Sequence, residues 1–109
     1  MNEIILYRPV GDNEYRLIAD SDFSKFPPRL PEQPIFYPVC NVEYARQIAS
    51  QWNKSGHIVQ FSIEQNFISK YETHIVGSKI HEEYWIPAED LEDFNKHIVG
   101  KIFSIEEIT

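Results

Sequence analysis

The sequence predicts one α+β domain over residues 1–109, with a split, twisted sheet of about six strands and three or four short helices. Three observations predict this class. The length of 109 residues is that of one typical domain. Short runs of β-branched and aromatic residues alternate with helical patterns, and turn residues separate them. The 42% of hydrophobic and 25% of charged residues are close to globular averages, which argues against disordered and membrane-spanning classes.

A strand and a helix are predicted at the start of the chain. Residues 3–10, EIILYRPV, are β-branched and aromatic and stop at turn residues, which is typical of a buried strand. Asp12 follows as the expected N-cap of a helix that ends near Asp20. Four prolines between 27 and 34 then exclude a helix or a central strand, so this segment is expected to be a stiff loop.

Strands and helices alternate in the middle of the chain. Residues 35–39 are expected to form a strand, which Pro38 places at an edge or a bulge. Asn41 is the expected cap of the clearest helix. The apolar residues of that helix recur at helical spacing and are expected in the core: Val42, Ala45, Ile48, Ala49 and Trp52. A further strand is expected at 57–63, with a helical turn near Phe67.

The last part of the chain is predicted to hold three strands and one helix. The strands are expected at 73–76, 80–87 and 101–105. The helix follows Pro87, has acids in its first turn, and is expected to stop at Gly100.

Charge and cysteine content restrict the partners and the compartment. A net charge of −7 repels phosphate backbones and anionic lipid, so neither nucleic acid nor a membrane surface is an expected partner. Cys40 is the only cysteine, which excludes an intrachain disulfide and fits a reducing cytoplasm. The first residues carry an acid where a signal peptide needs a base, and their apolar run is too short to span a membrane. A cytoplasmic location is therefore expected.

Motifs with fixed chemistry are missing from the sequence. The four histidines form no HExxH and have no paired cysteines, so no metal site is predicted. The four glycines are too scattered to form the phosphate-binding loops GxxxxGK[ST] or GxGxxG. No GxSxG elbow is present, and Cys40 is interpreted as a small, half-buried apolar residue rather than a nucleophile.

Arg8 is the first unusual residue. Strand alternation places it on the same face as Ile4, Leu6 and Val10, where an unpaired guanidinium would be expensive to bury. Arg8 therefore needs a partner. A structural ion pair, a strand end that reaches water and a bound ligand all satisfy this requirement.

The segment HEEYWIP contains the second unusual residue. Strand alternation groups His81, Glu83 and Trp85 on one face and puts Glu82 on the other, so each face receives an acid. An edge strand with one solvated glutamate explains the pattern. The functional alternative is a carboxylate of Glu83 held beside Trp85 in a cleft.

These residues make the chain resemble the ADP-ribosyltransferase-like fold. An arginine ends the first strand in LYR (6–8), the second strand is aromatic in FYP (36–38), and a glutamate stands four residues before a proline in EYWIP (83–87). The chain also resembles a set of small bacterial proteins labelled as ADP-ribosylation or J-crystallin related. That similarity covers nearly the whole length, through YRPVG, FPPRLPEQPIFYPV and EYWIPAEDLEDFNKHIVG.

The resemblance implies an NAD-binding site and a role for each residue. Arg8 would bind the ribose or phosphate of NAD, Tyr37 would stack on the nicotinamide, and Glu83 would be the catalytic residue, whose carboxylate accepts a hydrogen bond from the nicotinamide-ribose hydroxyl. His81 would also belong to the cofactor-binding set, at a position where many arginine-directed transferases have Glu or Gln. The implied activity is ADP-ribosyl transfer or NAD glycohydrolysis. The alternative is a nonenzymatic binding or protein-interaction module that keeps the fold.

Overall fold

The α+β class predicted from the sequence is confirmed in the computed structural model, which describes residues 2–52, 54–77 and 81–109. The described residues form these strands: β1 Glu3–Gly11, β2 Ile35–Phe36, β3 Gly56–Glu64, β4 Thr73–Ile75, β5 Glu82–Tyr84, β6 Ile86–Pro87 and β7 Ile98–Ile108. They also form these helices: α1 Asp12–Asp20, α2 Val42–Ser50, α3 Gln65–Ile68, α4 Leu91–Lys96 and a 3-10 turn at Ala88–Asp90.

The strands form one three-stranded sheet and two short pairs. β3 lies between β1 and β7, and all three are antiparallel; β2 pairs with β6, and β4 pairs with β5. Val39 links the first sheet to β5, because it forms single antiparallel bridges with both Tyr7 and Glu83. Tyr7 and Val39 exchange two backbone hydrogen bonds of 2.9 and 2.8 Å. Val39 thus aligns Tyr7 of β1 with Glu83 of β5, so that the three residues form one row across the strands.

The two faces of the three-stranded sheet bury different clusters. The larger cluster lies on the face of Leu6 and Val10 and is rich in phenylalanine rings: Phe26, Phe36, Phe61, Phe67 and Phe94. Neighbouring rings in this cluster pack tilted or edge to face, the arrangement that aromatic quadrupoles favour. The smaller cluster lies on the other face, where α2 packs Ala45 and Ala49 on Val39 and Ile58.

The second and fifth predicted strands differ from those observed. β2 ends at Phe36 rather than at residue 39, because Pro38 has no N–H for a ladder, although its carbonyl accepts from the Tyr84 amide at 2.9 Å. The predicted strand 80–87 is two strands that break at Trp85 and pair with different partners. Residue 80 lies outside the described residues.

Gly100 was predicted to stop the last helix, and this prediction is wrong. α4 already ends at Lys96, and Gly100 lies within β7 with a φ of +76°. The pairing of β3 with β7 shifts here, since Gln60 opposes Phe103 whereas Ser62 opposes Val99. Gly100 therefore supplies the left-handed backbone of a bulge, not the end of a helix.

The helix caps confirm one prediction and correct another. The Asn41 side chain accepts from the Tyr44 amide at 2.8 Å, so the predicted cap of α2 is confirmed. At α1 the N-cap is Gly11, with no side-chain cap, and the carboxylate of Asp12 instead accepts a hydrogen bond from the Ser55 hydroxyl. α2 ends at Ser50, two residues before Trp52.

Candidate functional site

An open cleft of about 450 Å³ lies beside the Tyr7–Val39–Glu83 row. We call it the Glu83 cleft, after the one acid in its lining. The aromatic residues of the lining are Tyr37, Tyr44, Trp52 and Trp85. Depressions of about 530 and 630 Å³ occur elsewhere on the surface. Among the described residues, however, Glu83 is the only polar or charged residue that is buried. We therefore place the candidate site in the smaller Glu83 cleft.

The carboxylate of Glu83 is buried and fixed by two donors. The residue is 8% exposed. The hydroxyl of Tyr44 donates to its Oε1 at 2.5 Å, and the indole Nε1 of Trp85 donates to its Oε2 at 2.7 Å. Each oxygen is thus satisfied from a different direction, which locks the group in place. The alternative interpretation of Glu83 as a solvated edge glutamate is wrong.

Tyr44 acts as a permanent donor to this carboxylate. Burial raises the pKa of Tyr44 to about 12, and the hydrogen bond and the charge of Glu83 add to the rise. The phenol therefore keeps its proton throughout the neutral range. The residue lies in the first turn of α2, whose start the Asn41 cap fixes, so the helix terminus sets the position of the hydroxyl.

Two exposed rings form the outer wall of the Glu83 cleft. Tyr37 is 40% exposed and Trp85 is 43% exposed, and they meet edge to face with centroids 6.3 Å apart. His74 stacks on the indole of Trp85 at 3.8 Å. The indole is thus held by a ring contact on either side and by its hydrogen bond to Glu83. A fixed carboxylate beside fixed aromatic rings is an arrangement that attracts cations.

His81 was predicted to contact the cofactor, and the structure places it behind the cleft. Its Nδ1 lies 2.9 Å from the carbonyl oxygen of Val76, and its Nε2 lies 2.5 Å from Oε1 of Gln47. Its ring stacks on Tyr44 with centroids 4.7 Å apart. His81 thus contacts two residues that line the cleft, Tyr44 and Val76, and acts as a residue that positions them.

Arg8 borders the Glu83 cleft, but its charged end faces away from Glu83. Tyr7 and Glu83 share one row of the sheet, so Arg8, the next residue after Tyr7, points to the opposite face. There its Nε and Nη2 donate to the two oxygens of Glu14, at 2.8 and 3.1 Å. Its guanidinium also lies 4.7 Å from the centre of the Phe36 ring.

The predicted convergence of three side chains thus holds only in part. Tyr37 and Glu83 contribute to one cleft, whereas the guanidinium of Arg8 is occupied by Glu14 on the other side of the sheet. Of the alternatives that the sequence left open for Arg8, the structure shows the structural ion pair, with Glu14 as the partner. The alternation of side chains along β1 sets the direction of Arg8, and the first turn of α1 supplies its partner, Glu14.

Sequence reasoning missed two residues of the cleft. Tyr44 lies 39 residues before Glu83, and no local pattern connects them. Trp52 was predicted to lie in the core because the helical spacing continued to it, but α2 ends earlier and the indole borders the cleft. The Nζ of Lys54 lies 4.6 Å from the Trp52 ring centre. The apolar spacing therefore predicted a helix that exists, but it extended the helix two residues too far.

Comparisons with known proteins find no match: no protein-family model, no curated protein and no solved structure matches the chain. No set of three or more His, Cys, Asp or Glu side chains suited to a metal ion occurs within the described ranges. None of the helices in the part that the structure describes has the length and apolarity to cross a membrane. The functional conclusion therefore rests on the geometry of the Glu83 cleft.

Cys40 is expected to react very slowly with thiol reagents. Burial, followed by the charges of Glu82 and Glu83, raises the pKa of its thiol to about 12. At pH 8 about one thiol in ten thousand is then ionised, against roughly a quarter for a free cysteine. Labelling of the native chain by a disulfide reagent should be roughly a hundredfold slower than labelling of the denatured chain, because the greater nucleophilicity of the more basic thiolate offsets part of the loss in ionised fraction.

The pH dependence of the same reaction provides the control for Cys40. The native rate should keep rising about tenfold per pH unit up to pH 10, because the thiol is still far from half-ionised. A native rate that levels off near pH 8.5 would show an ordinary, accessible cysteine.

Proposed function

We propose that the chain binds NAD in the Glu83 cleft and acts on its nicotinamide–ribose bond, as an NAD glycohydrolase or ADP-ribosyltransferase. One observation supports this above the others: the buried carboxylate of Glu83 is fixed by two donors in a cleft walled by four aromatic side chains. The nicotinamide of NAD is a flat ring with a positive charge. Aromatic faces attract such a cation, and the carboxylate adds a Coulombic attraction.

The same arrangement suits cleavage of the glycosidic bond. The bond between the nicotinamide nitrogen and the ribose carbon breaks, the electron pair leaves with neutral nicotinamide, and the ribose becomes oxocarbenium-like. Water or an acceptor nucleophile then attacks that carbon and releases a proton. Glu83 stabilises the positive charge on the sugar, and Tyr44 and Trp85 hold it so that it needs no rearrangement during the reaction.

A nonenzymatic binding module is the second candidate function. It is favoured by the closed pair between Arg8 and Glu14, which leaves no arginine charge directed at the carboxylate of Glu83. Both oxygens of Glu83 also already accept hydrogen bonds. In this candidate the cleft binds a cationic group of a small molecule or of a protein partner between Tyr37 and Trp85, without breaking a bond.

Thermal unfolding with and without NAD tests the proposal. At an NAD concentration of one hundred times Kd the native state gains about 2.7 kcal/mol, which raises Tm by roughly 10 °C or more in a domain of this size. NADH is the matched control, because its reduced ring has no positive charge. We expect it to bind roughly tenfold more weakly than NAD.

Chromatographic detection of nicotinamide separates the two candidate functions. Stabilisation by NAD together with release of nicotinamide supports the enzyme. Stabilisation without release supports the binding module. If millimolar NAD neither raises Tm nor yields nicotinamide, NAD is not the ligand of the Glu83 cleft.

A further inference from the structure

Arg29 lies in the loop that holds four prolines. Its Nε is buried and has no hydrogen-bond partner in the described part of the chain. No described acid lies within ion-pair distance of its guanidinium. A buried donor that is left unpaired costs free energy, and a bound ligand that accepts a hydrogen bond from it removes that cost. Because the guanidinium is a positively charged donor, the ligand that suits it is an anion.

The surroundings of Arg29 already contain an excess of positive charge. Its guanidinium lies 5.8 Å from the centre of the Phe36 ring, and the guanidinium of Arg8 lies 4.7 Å from the centre of the same ring. The acid of this group, Glu14, has both oxygens occupied by Arg8. Two cations thus share one carboxylate, and one positive charge stays unmatched.

The charges around Arg29 also indicate an unmatched positive charge. Burial lowers the pKa of the Arg29 guanidinium from its ordinary value, the charge of Arg8 lowers it further, and Glu14 and Tyr37 act in the opposite direction. The residue also borders a depression of about 320 Å³, where Lys54 adds a second cation. Two acids border it as well, but Glu14 is paired with Arg8, and Asp12 accepts a hydrogen bond from Ser55.

We propose that Arg29 is the phosphate-binding residue of the site and takes the diphosphate of NAD while the Glu83 cleft holds the nicotinamide end. The two places are neighbours on the surface: Lys54 borders the depression of Arg29, its Nζ lies 4.6 Å from the centre of the Trp52 ring, and Trp52 lines the Glu83 cleft. The identity of the whole ligand rests on the proposed function. The binding of a phosphate group by Arg29 is independent of the proposed function.

Calorimetric titration of Arg29→Gln with three probes tests the proposal. The probes are NAD, inorganic pyrophosphate and 1-methylnicotinamide, which is cationic but has no phosphate. We expect the variant to bind NAD and pyrophosphate at least tenfold more weakly, because charge-assisted hydrogen bonds are lost, and to bind 1-methylnicotinamide unchanged. Arg46→Gln is the matched control: it also removes one arginine charge, from an exposed pair with Glu106, and should leave all three affinities unchanged.

The outcomes separate this inference from the proposed function. Pyrophosphate binding that depends on Arg29, without any binding of NAD, supports the phosphate site and overturns NAD as the ligand. Pyrophosphate that does not bind the wild type, or binds Arg29→Gln equally well, overturns the role of Arg29 whatever NAD does.

Stability without ligand distinguishes a binding residue from a structural one. Arg29→Met removes the unpaired donor and keeps an apolar stem against Phe36, so its Tm is expected to equal or exceed that of the wild type. A decrease in Tm of more than about 5 °C would show that Arg29 supports the fold and would overturn the proposal.

Discussion

Replacement of Glu83 by Gln is expected to lower the rate of nicotinamide release by roughly 100-fold while NAD still binds. The substitution keeps the shape of the side chain but removes the negative charge that stabilises the oxocarbenium-like sugar. The amide has only one oxygen, so it can accept from Tyr44 or from Trp85 but not well from both. A decrease in stability of about 1 kcal/mol is expected from the lost hydrogen bond.

Glu82→Gln is the matched control for this variant. Glu82 is the neighbouring acid on the opposite face of β5, so its loss changes the net charge equally and leaves the cleft intact. Its nicotinamide release should equal that of the wild type. If Glu83→Gln releases nicotinamide at the wild-type rate, Glu83 is not the catalytic carboxylate. Trp85→Phe, which removes the donor to Oε2 and keeps an aromatic ring, should show an intermediate rate.

Local signals predicted the parts of the fold that depend on neighbouring residues in sequence. β1 was predicted at 3–10 and spans Glu3–Gly11, because its apolar run and its stop at Gly11 need no distant partner to be recognised. The cap of α2 follows from the side chain of Asn41 alone. By contrast, the predicted strand 80–87 breaks at Trp85 because β5 pairs with β4 whereas β6 pairs with β2. The local sequence does not show which strands pair.

In the candidate site, too, the features that depend on neighbouring residues could be predicted, and those that depend on strand pairing could not. Alternation along one strand placed Glu83 and Trp85 on a common face, and the hydrogen bond between them confirms it. The direction of Arg8 relative to Glu83 depends instead on Val39, which fixes the register between β1 and β5. A residue that lies between the two strands thus decides whether an arginine and a glutamate meet, so their order in the sequence could not predict it.

Arg8→Ala is expected to lower the free energy of unfolding by about 2 kcal/mol. The side chains of Arg8 and Glu14 are only 12% and 22% exposed, so removal of the arginine leaves a poorly solvated carboxylate without its two donors. Loss of one partner of a fully buried pair costs about 3–5 kcal/mol, and partial exposure reduces the figure here. Chemical denaturation of the variant measures it.

A double-mutant cycle with Glu14→Ala shows whether Arg8 serves the fold or the ligand. If the ion pair is its role, Arg8→Ala and Glu14→Ala each destabilise the chain, and the double variant loses clearly less than the sum of the two. NAD affinity then falls little in Arg8→Ala. The resemblance to ADP-ribosyltransferases implies the opposite pattern, in which Arg8→Ala keeps its stability and loses NAD binding. Because the guanidinium donates to both oxygens of Glu14 and faces away from Glu83, we expect coupling between residues 8 and 14 and not between residues 8 and 83.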